Sequence, residues 1–384
     1  MSTPNHRKLA VMPGDGIGGE VMTATLAVLE RLRDQHELPL DWEELQWPAT
    51  DWHRRHGAMM PEDALDQLTR YDALLLGALG DPGPASDPNR YVLSDGISLA
   101  PLLTLRKGFD LWACERPARL LPGAPQYLAD PRAADVDMMV IRENSEGEYV
   151  NQGGRLHRGS EREVATQMEV FTRPAAERLI RHAFERARQR AQAREEPRAF
   201  QQPDGTTATA QVCLITKRNA LPHWGELYTE VFGEIAREYP DVATHHELVD
   251  AACMKFVQCP WMFDVVVASN LQGDILTDLA AVLSGGMGIA PSININPDSR
   301  NYPALFEPTH GSAPDIAGQN KADPRAMMLT AAEMLDWLGT EQAVFARAAS
   351  ALRNAVAADL SARKAGTVRS TDQISTAIIE SLSA

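Results

Sequence analysis

Strand-like apolar runs alternate with helix-like stretches through the first hundred residues. KLAVM at 8–12 is followed by a helix over 20–36, the strand-like LDWEELQW, an amphipathic stretch around PEDALDQLTRY and the apolar ALLLGAL at 73–79. Such alternation builds βαβ units and a largely parallel sheet. Farther along, DVDMMVIREN, QVCLITK and FDVVVASN read as buried strands ending in polar residues. RPAAERLIRHAFERARQRAQAREE reads as a helix with its charges on the solvated side, and PRAFQQPDGTTATA at 197–210 as a surface loop. Ligands of α/β sheets gather at the carboxyl ends of strands, so the polar residues there carry the most functional weight.

The 384 residues, 44% hydrophobic and 23% charged, suffice for a large core and two lobes. A formal charge of −15 argues against nucleic acid or an anionic membrane surface as the main partner. An anionic substrate would then need a local cluster of Arg or Lys. Cys114, Cys213, Cys253 and Cys259 contain no C-x-x-C pair, which favours free thiols in a reducing cytoplasm over zinc or disulfides. No apolar run approaches the ~20 residues of a membrane span, and MSTPNHRKLA lacks the apolar core of a signal peptide.

VMPGDGIGGEV, between the first strand and the first helix, places Gly14, Gly16 and Gly19 in the G-x-G-x-x-G spacing that brings a backbone close to a pyrophosphate. The supporting acid should close the second strand about 20 residues on. Asp41 is near that distance but opens the next strand-like run. A lone match of this kind is weak, and a strand-to-helix turn that needs positive φ is the simpler account of the glycines.

Three groups of residues have chemical potential. NLQGDILTDLAAVL sets Asp274 and Asp278 four residues apart, on one face of a helix, where two carboxylates repel unless a cation lies between them. Two acids complementing the helix dipole are the simpler alternative. With Asp250, from another strand-to-helix junction, an all-oxygen set would favour Mg²⁺ or Mn²⁺ over zinc. Arg106, Arg116 and Arg142 form the basic group, and converging guanidinium groups would suit a small di-acid. Surface salt bridges are the alternative, and spacing does not decide. Tyr149 and Lys217, at or just beyond strand ends, have the chemistry of a proton donor and a base.

Taken together, PGDGIGGEV, LRKGFD, RENSEGEY, FTRPAAERLI, ASNLQGDILTDL, EPTHGSAPDIAG and AAEMLDWLG, in that order along nearly the whole chain, resemble the metal-dependent β-decarboxylating dehydrogenases of isopropylmalate, isocitrate, homoisocitrate, tartrate and D-malate. The resemblance implies an α/β, isopropylmalate dehydrogenase-like two-domain fold with a mostly parallel mixed sheet, not a Rossmann fold. It implies a discontinuous cofactor-side domain over 1–103 and 283–384, and a small domain over 104–282 with the substrate arginines, metal ligands and dimer interface. His310, Gly311, Ala313, Asp315, Asn320 and Asp323 would line the NAD site. Arg106, Arg116 and Arg142 would hold substrate carboxylates, Asp250, Asp274 and Asp278 a Mg²⁺ or Mn²⁺ ion, with Tyr149 as proton donor and Lys217 as base. Lys217 and Asp250 would come from the second subunit of a homodimer.

Several positions depart from the family pattern. Cys114 and Glu115 precede the second arginine and put a negative charge beside an anion site, Asp323 replaces an Asn, the segment after Lys217 is short, and 193–210 looks inserted. The resemblance implies that the stretch from Ser98 to Arg106 lines the pocket for the group on the substrate's third carbon; there Ala100, Pro101, Leu102, Leu103 and Leu105 offer no partner to a third carboxylate, leaving Ser98 and Thr104, which argues against isocitrate and homoisocitrate. RENSEGEYVNQGGR with MEVFTR looks most like the tartrate and D-malate branch. Isopropylmalate or a specialised-metabolism substrate is the alternative. A weakened regulatory or ligand-binding subunit, and an ordinary Rossmann oxidoreductase, are the competing readings from other classes.

Overall fold

The protein, described by a computed structural model over residues 6–202, 204–363 and 367–383, divides into two compact units. The first takes in the chain up to Leu111, Arg119–Ala134 and everything from Ala281 on; the second comprises Trp112–Ala118 and Asp135–Ala280. Among the described residues no helix is long and apolar enough to cross a membrane, and the four cysteines are free thiols.

In the first unit five strands lie in the order Pro291–Ile295, Ala304–Pro308, Ala73–Ala78, Arg7–Gly14, Leu40–Glu44. Only the first pair is antiparallel, so the sheet is mixed but mostly parallel. The apolar run at 73–78 is buried at every position, as a strand covered on both faces must be. In the second unit the order is Val242–Leu248, Ala210–Thr216, Val265–Ala268, Asp137–Glu143, Ala113–Arg119, and the first three pairings are parallel. Helix Arg173–Ala193 lays Leu179, Ile180, Ala183, Phe184 and Ala187 against the core. Pro174 costs it no hydrogen bond in the first turn, and the Thr172 hydroxyl caps Ala175 N at 3.3 Å.

The strand order disposes of the Rossmann alternative. A Rossmann half places its second strand between the first and third, whereas here the first strand lies between the second and third. Asp41 pairs with His6 on the surface, at 3.2 Å. Gly14 and Gly16 take positive φ, +74° and +58°, and a Cβ on them would lie 1.9 Å from Ala78 O and 2.1 Å from Ser312 O; Gly19 has nothing within 4 Å.

Two sequence expectations need correction. The boundary expected at 103/104 lies after Leu111, because helix Ala100–Gly108 and the residue beyond it press Leu105 and Phe109 into a buried cluster with Leu68, Leu74 and Leu305. Arg106 therefore belongs to the first unit and is not grouped with Arg116 and Arg142. The expected loop at 197–210 contains a short antiparallel ladder, Phe200–Gln201 with Thr207–Ala208, held because Phe200 is buried against Ala208 and Ala243.

Gly16→Ala should destabilise the fold by roughly 1–3 kcal/mol, through forced φ and overpacking against backbone. Gly19→Ala should be neutral or slightly stabilising. Urea unfolding of the two variants checks the contrast, and equal losses would show that Gly16 and Gly19 serve one demand.

Candidate active site

In the second unit the candidate site gathers around Asp274, in the first turns of helix Asn270–Leu283. Arg142, at the end of strand Asp137–Glu143 and almost wholly buried, donates from Nη1 to Asp274 Oδ1 in a short contact. Arg116 Nη1 approaches the same oxygen at 3.4 Å and donates to Thr277 Oγ1 at 2.6 Å. The Tyr149 hydroxyl donates to Asp274 Oδ2 at 2.7 Å, with the Arg142 guanidinium 5.1 Å from its ring centre. One helical turn on, Asp278 is pushed above the ordinary aspartate pKa, first by desolvation; Arg116 opposes that shift, the Asp274 charge adds to it, and Arg142 opposes it. Two carboxylates on one helical face beside two guanidinium groups can hold a divalent cation and a carboxylate ligand side by side.

Buried charge must be paired, and Arg142 shows how this is achieved. Asn270 Oδ1 accepts from its Nε at 3.0 Å and its Nη2 at 2.7 Å, while Asn270 Nδ2 donates to Glu146 O at 2.9 Å. Gly273 leaves room for the arginine stem, since a Cβ there would lie 2.7 Å from Arg142 Cβ. Neither residue stood out in the sequence, although Asn270 follows a buried strand directly.

Lys217, just beyond strand Ala210–Thr216, donates to Asp250 Oδ1 at 2.7 Å in a more exposed pair at the start of helix Val249–Gln258. The amides of Ala220 and Leu221 donate back to Lys217 O at 2.9 and 2.8 Å, which closes the short segment before helix Pro222–Ala236. Among the described residues no cluster of three His, Cys, Asp or Glu side chains is placed to hold a metal ion. Asp250 thus does not join Asp274 and Asp278 within one chain.

Glu115 does not burden the anion site as the sequence suggested. Neighbours on a strand face opposite ways, so while Arg116 turns to Asp274, Glu115 turns to helix Arg173–Ala193. There it accepts from His182 Nε2 at 2.7 Å and Arg186 Nη2 at 2.9 Å. Burial alone would raise its pKa, but Arg186 and His182 together hold it down at about 2.

The first unit carries the remaining residues. Arg106 Nη2 donates to Glu307 Oε1 at 2.8 Å, and Asn294 Nδ2 reaches the same oxygen at 3.0 Å; Arg106 Nε is buried without a partner. Past strand Ala304–Pro308, the loop 309–323 turns at Ala313 and Asn320, both with positive φ. Burial pushes the His310 pKa down; its Nδ1 lies 3.0 Å from Gly311 O, and its buried Nε2 has no partner. Gly311 and Asp315 are exposed, Asn320 exchanges hydrogen bonds with Asp372 at 2.8 and 3.1 Å, and Asp323 accepts from Arg325 Nη1 at 2.7 Å. The glycine turn packs on this loop through Ile17 N to Ser312 O at 2.9 Å. Asp15, overlooked in the sequence, takes Thr50 N at 2.7 Å and Gly80 N at 3.3 Å and so ties three loops together.

The chain matches the isocitrate/isopropylmalate dehydrogenase family over residues 8–380. It belongs to that family. Among its relatives are a 3-isopropylmalate dehydrogenase of Thermobifida fusca, 45% identical over 96% of this chain and 95% of the relative, and the decarboxylating D-malate dehydrogenase of Escherichia coli, 41% identical over 91% and 90%. A probable tartrate dehydrogenase/decarboxylase of Agrobacterium vitis is 39% identical over 98% and 97%. The crystal structure of isocitrate dehydrogenase from Methylococcus capsulatus superposes with a TM-score of 0.79 at 31% identity, covering 98% of this chain and 100% of that one. The fold is accordingly that of the family, whose decarboxylating hydroxy-acid dehydrogenases typically use NAD and a divalent metal.

Glu115→Ala leaves His182 and Arg186 without their buried counter-charge and should cost about 3 kcal/mol, the scale for breaking a buried pair. Because the folded Glu115 carboxyl sits near 2, below its ordinary value of 4.5, its contribution is fully present above about pH 4.5 and fades as pH falls toward 2. Urea titrations at pH 7 and pH 3 should show the wild type and the variant converging at the lower pH.

Proposed function

We propose that the chain is a cytoplasmic, homodimeric, NAD- and divalent-metal-dependent dehydrogenase that oxidises and β-decarboxylates D-malate or tartrate. The carrying observation is the sharing of Asp274 by Arg142, Arg116 and Tyr149. A di-anionic substrate would take over the guanidinium groups and a cation the carboxylate, so each charge lost from one pairing gains a partner in the other. Asp274 and Asp278 would hold Mg²⁺ or Mn²⁺ together with Asp250 from a second copy. The oxygen-only donor set fits a hard cation, which when bound supplies Lewis acidity toward the 2-hydroxyl and neighbouring carboxylate.

The chain's own groups divide the remaining work. Arg116 and Arg142 bind and orient substrate carboxylates, with Asn270 fixing the Arg142 plane. Arg106, engaged by Glu307 at 2.8 Å, would bind a further substrate carboxylate. Lys217 of a second copy would accept the hydroxyl proton, and Tyr149 would return a proton to the carbon that loses carbon dioxide, with NAD supplying the hydride acceptor when bound. His310, Gly311, Ala313, Asp315, Asn320 and Asp323 line the NAD site, for which the unpartnered His310 Nε2 and the strained turns at 313 and 320 are the structural support.

Substrate choice rests on helix Ala100–Gly108. Leu102 and Leu103 are half-buried, and the Thr104 hydroxyl is spent on Ala100 O at 3.0 Å. Positions 100–105 would then offer a third carboxylate no free side-chain donor. The 3-isopropylmalate reading is favoured by those leucines and by the Thermobifida fusca relative. Turnover of D-malate, both tartrates, 3-isopropylmalate and isocitrate with NAD and Mn²⁺ tests the choice. D-malate or a tartrate should lead; a kcat/KM for isopropylmalate or isocitrate more than about tenfold above D-malate, ~1.4 kcal/mol, would reverse it. Loss of all turnover in excess chelator is expected, whereas ligand binding without any NADH would mark a binding subunit.

Asp315 should make NAD the preferred cofactor, because a carboxylate at the ribose repels a 2′-phosphate. The nearby Arg90 does not offset this, being held by both oxygens of Asp81 at 3.0 and 3.1 Å. Asp315→Ala should narrow the NAD-over-NADP ratio of kcat/KM by about tenfold or more, and a wild-type preference for NADP would refute the assignment.

A further inference from the structure

We infer that Glu148 is a positioning residue: it clamps the loop that presents Tyr149 onto the helix that presents Asp274, an inference that rests on Tyr149 being the proton donor. The Glu148 carboxylate is occupied at both oxygens. Ser269 Oγ donates to Oε1 at 2.6 Å, and the Leu271 amide donates to Oε2 at 3.0 Å. Both donors belong to the start of helix Asn270–Leu283, whose first amides have no partner within the helix. Ser269 is itself engaged by Gln272 N at 3.4 Å through Oγ and by Gly273 N at 2.8 Å through its carbonyl, so the clamp holds the whole first turn. A carboxylate at this end is favoured by the helix dipole.

The consequence lies one residue away. Tyr149 reaches Asp274 at 2.7 Å, one turn further along the same helix, so loop and helix are joined at two points. A third tie, Asn270 Nδ2 to Glu146 O at 2.9 Å, lies upstream of Tyr149. The neighbouring glutamate does different work: Glu146 accepts from Thr172 N at 2.7 Å and Thr172 Oγ1 at 2.9 Å, and so ties the loop to helix Arg173–Ala193. Glu148, the side chain next to Tyr149, sets the register of the phenol along the Asp274 helix, with the Asn270 tie to Glu146 O behind it. Without it the loop would keep its outer anchor, but the hydroxyl would lose its fixed height, and proton delivery is sensitive to such displacement.

The test uses full-length protein carrying Glu148→Ala, Glu148→Gln or Tyr149→Phe. In metal-free protein, Glu148→Ala should lower hydrogen-exchange protection of the Leu271 amide at least tenfold, while Tyr149→Phe leaves it intact. With Mn²⁺ added, enzyme-catalysed deuterium uptake into the methyl group of pyruvate, the product D-malate would leave, reports carbon protonation apart from hydride transfer. Glu148→Ala should slow that uptake and kcat for D-malate at least tenfold with KM changed less than threefold, and Glu148→Gln, which keeps an acceptor for Ser269, should fall between. Uptake and kcat within twofold of wild type in Glu148→Ala, or a rise in KM as large as the fall in kcat, would overturn the proposal. Should Glu148→Ala not fold, wild-type values in Glu148→Gln would do the same. If instead Tyr149→Phe exchanges pyruvate at the wild-type rate, it is the proton-donor reading that falls.

Discussion

Arg142 is the constraint around which the second unit is organised. Its guanidinium is buried at the end of a central strand, where an unpaired charge is not tolerated, so its surroundings are committed to satisfying it. Asn270 takes two of its donors and Asp274 a third. Those partners lie at the start of one helix, which fixes where that helix begins and how it is rotated about its axis. Gly273 is the steric counterpart, a residue without a side chain where the arginine stem passes. Once the helix is fixed, the positions of Asp278, Thr277 and the Tyr149 contact follow from its 3.6-residue repeat.

The same logic explains which parts were legible in the sequence. Asp274 and Asp278 announced themselves because the relation between them is local: four residues along a helix mean one face. Arg142 was legible because it ends a run of apolar residues. The role of Glu115 is not legible locally, because its compensation lies 67 and 71 positions away in sequence, at His182 and Arg186, and nothing in Cys114–Glu115–Arg116 reveals them. The unit to which Arg106 belongs is hidden for a similar reason. Its own neighbours, Leu105 and Phe109, decide the matter by entering a core that also contains Leu305, a partner no local pattern predicts.

The glycine turn shows how a motif can be right in spacing and wrong in meaning. Gly14 and Gly16 are required, yet what comes close to them is the protein's own backbone, Ala78 O and Ser312 O. The residue between them does the connecting work. Asp15 is buried, and desolvation raises its pKa against the opposing hydrogen bonds of Thr50 and Gly80. A buried carboxyl at this point joins the turn to two other loops of the first unit, and Ile17 joins it to the loop after strand Ala304–Pro308. Spacing alone cannot separate a turn that approaches a ligand from one that approaches a neighbouring loop; the strand order does.

In the proposed dimer the second unit would supply half of a shared site, and its surface fits that role. Lys217 and Asp250 lie paired at a more open position than the buried Arg142. Around them the helices show apolar side chains to solvent: Met254 and Val257 on helix Val249–Gln258, and Leu271, Ile275 and Val282 on helix Asn270–Leu283. Scattered exposed apolar residues need no explanation, but several on the two helices that also carry Asp250, Asp274 and Asp278 would have a common one in the proposed dimer. Covering that surface with a second copy would remove apolar area from water, and in the proposed dimer the same event would bring the missing third carboxylate to Asp274 and Asp278. Association and completion of the cation site would then be a single equilibrium, with the hydrophobic gain of the interface offsetting the repulsion of three carboxylates brought together.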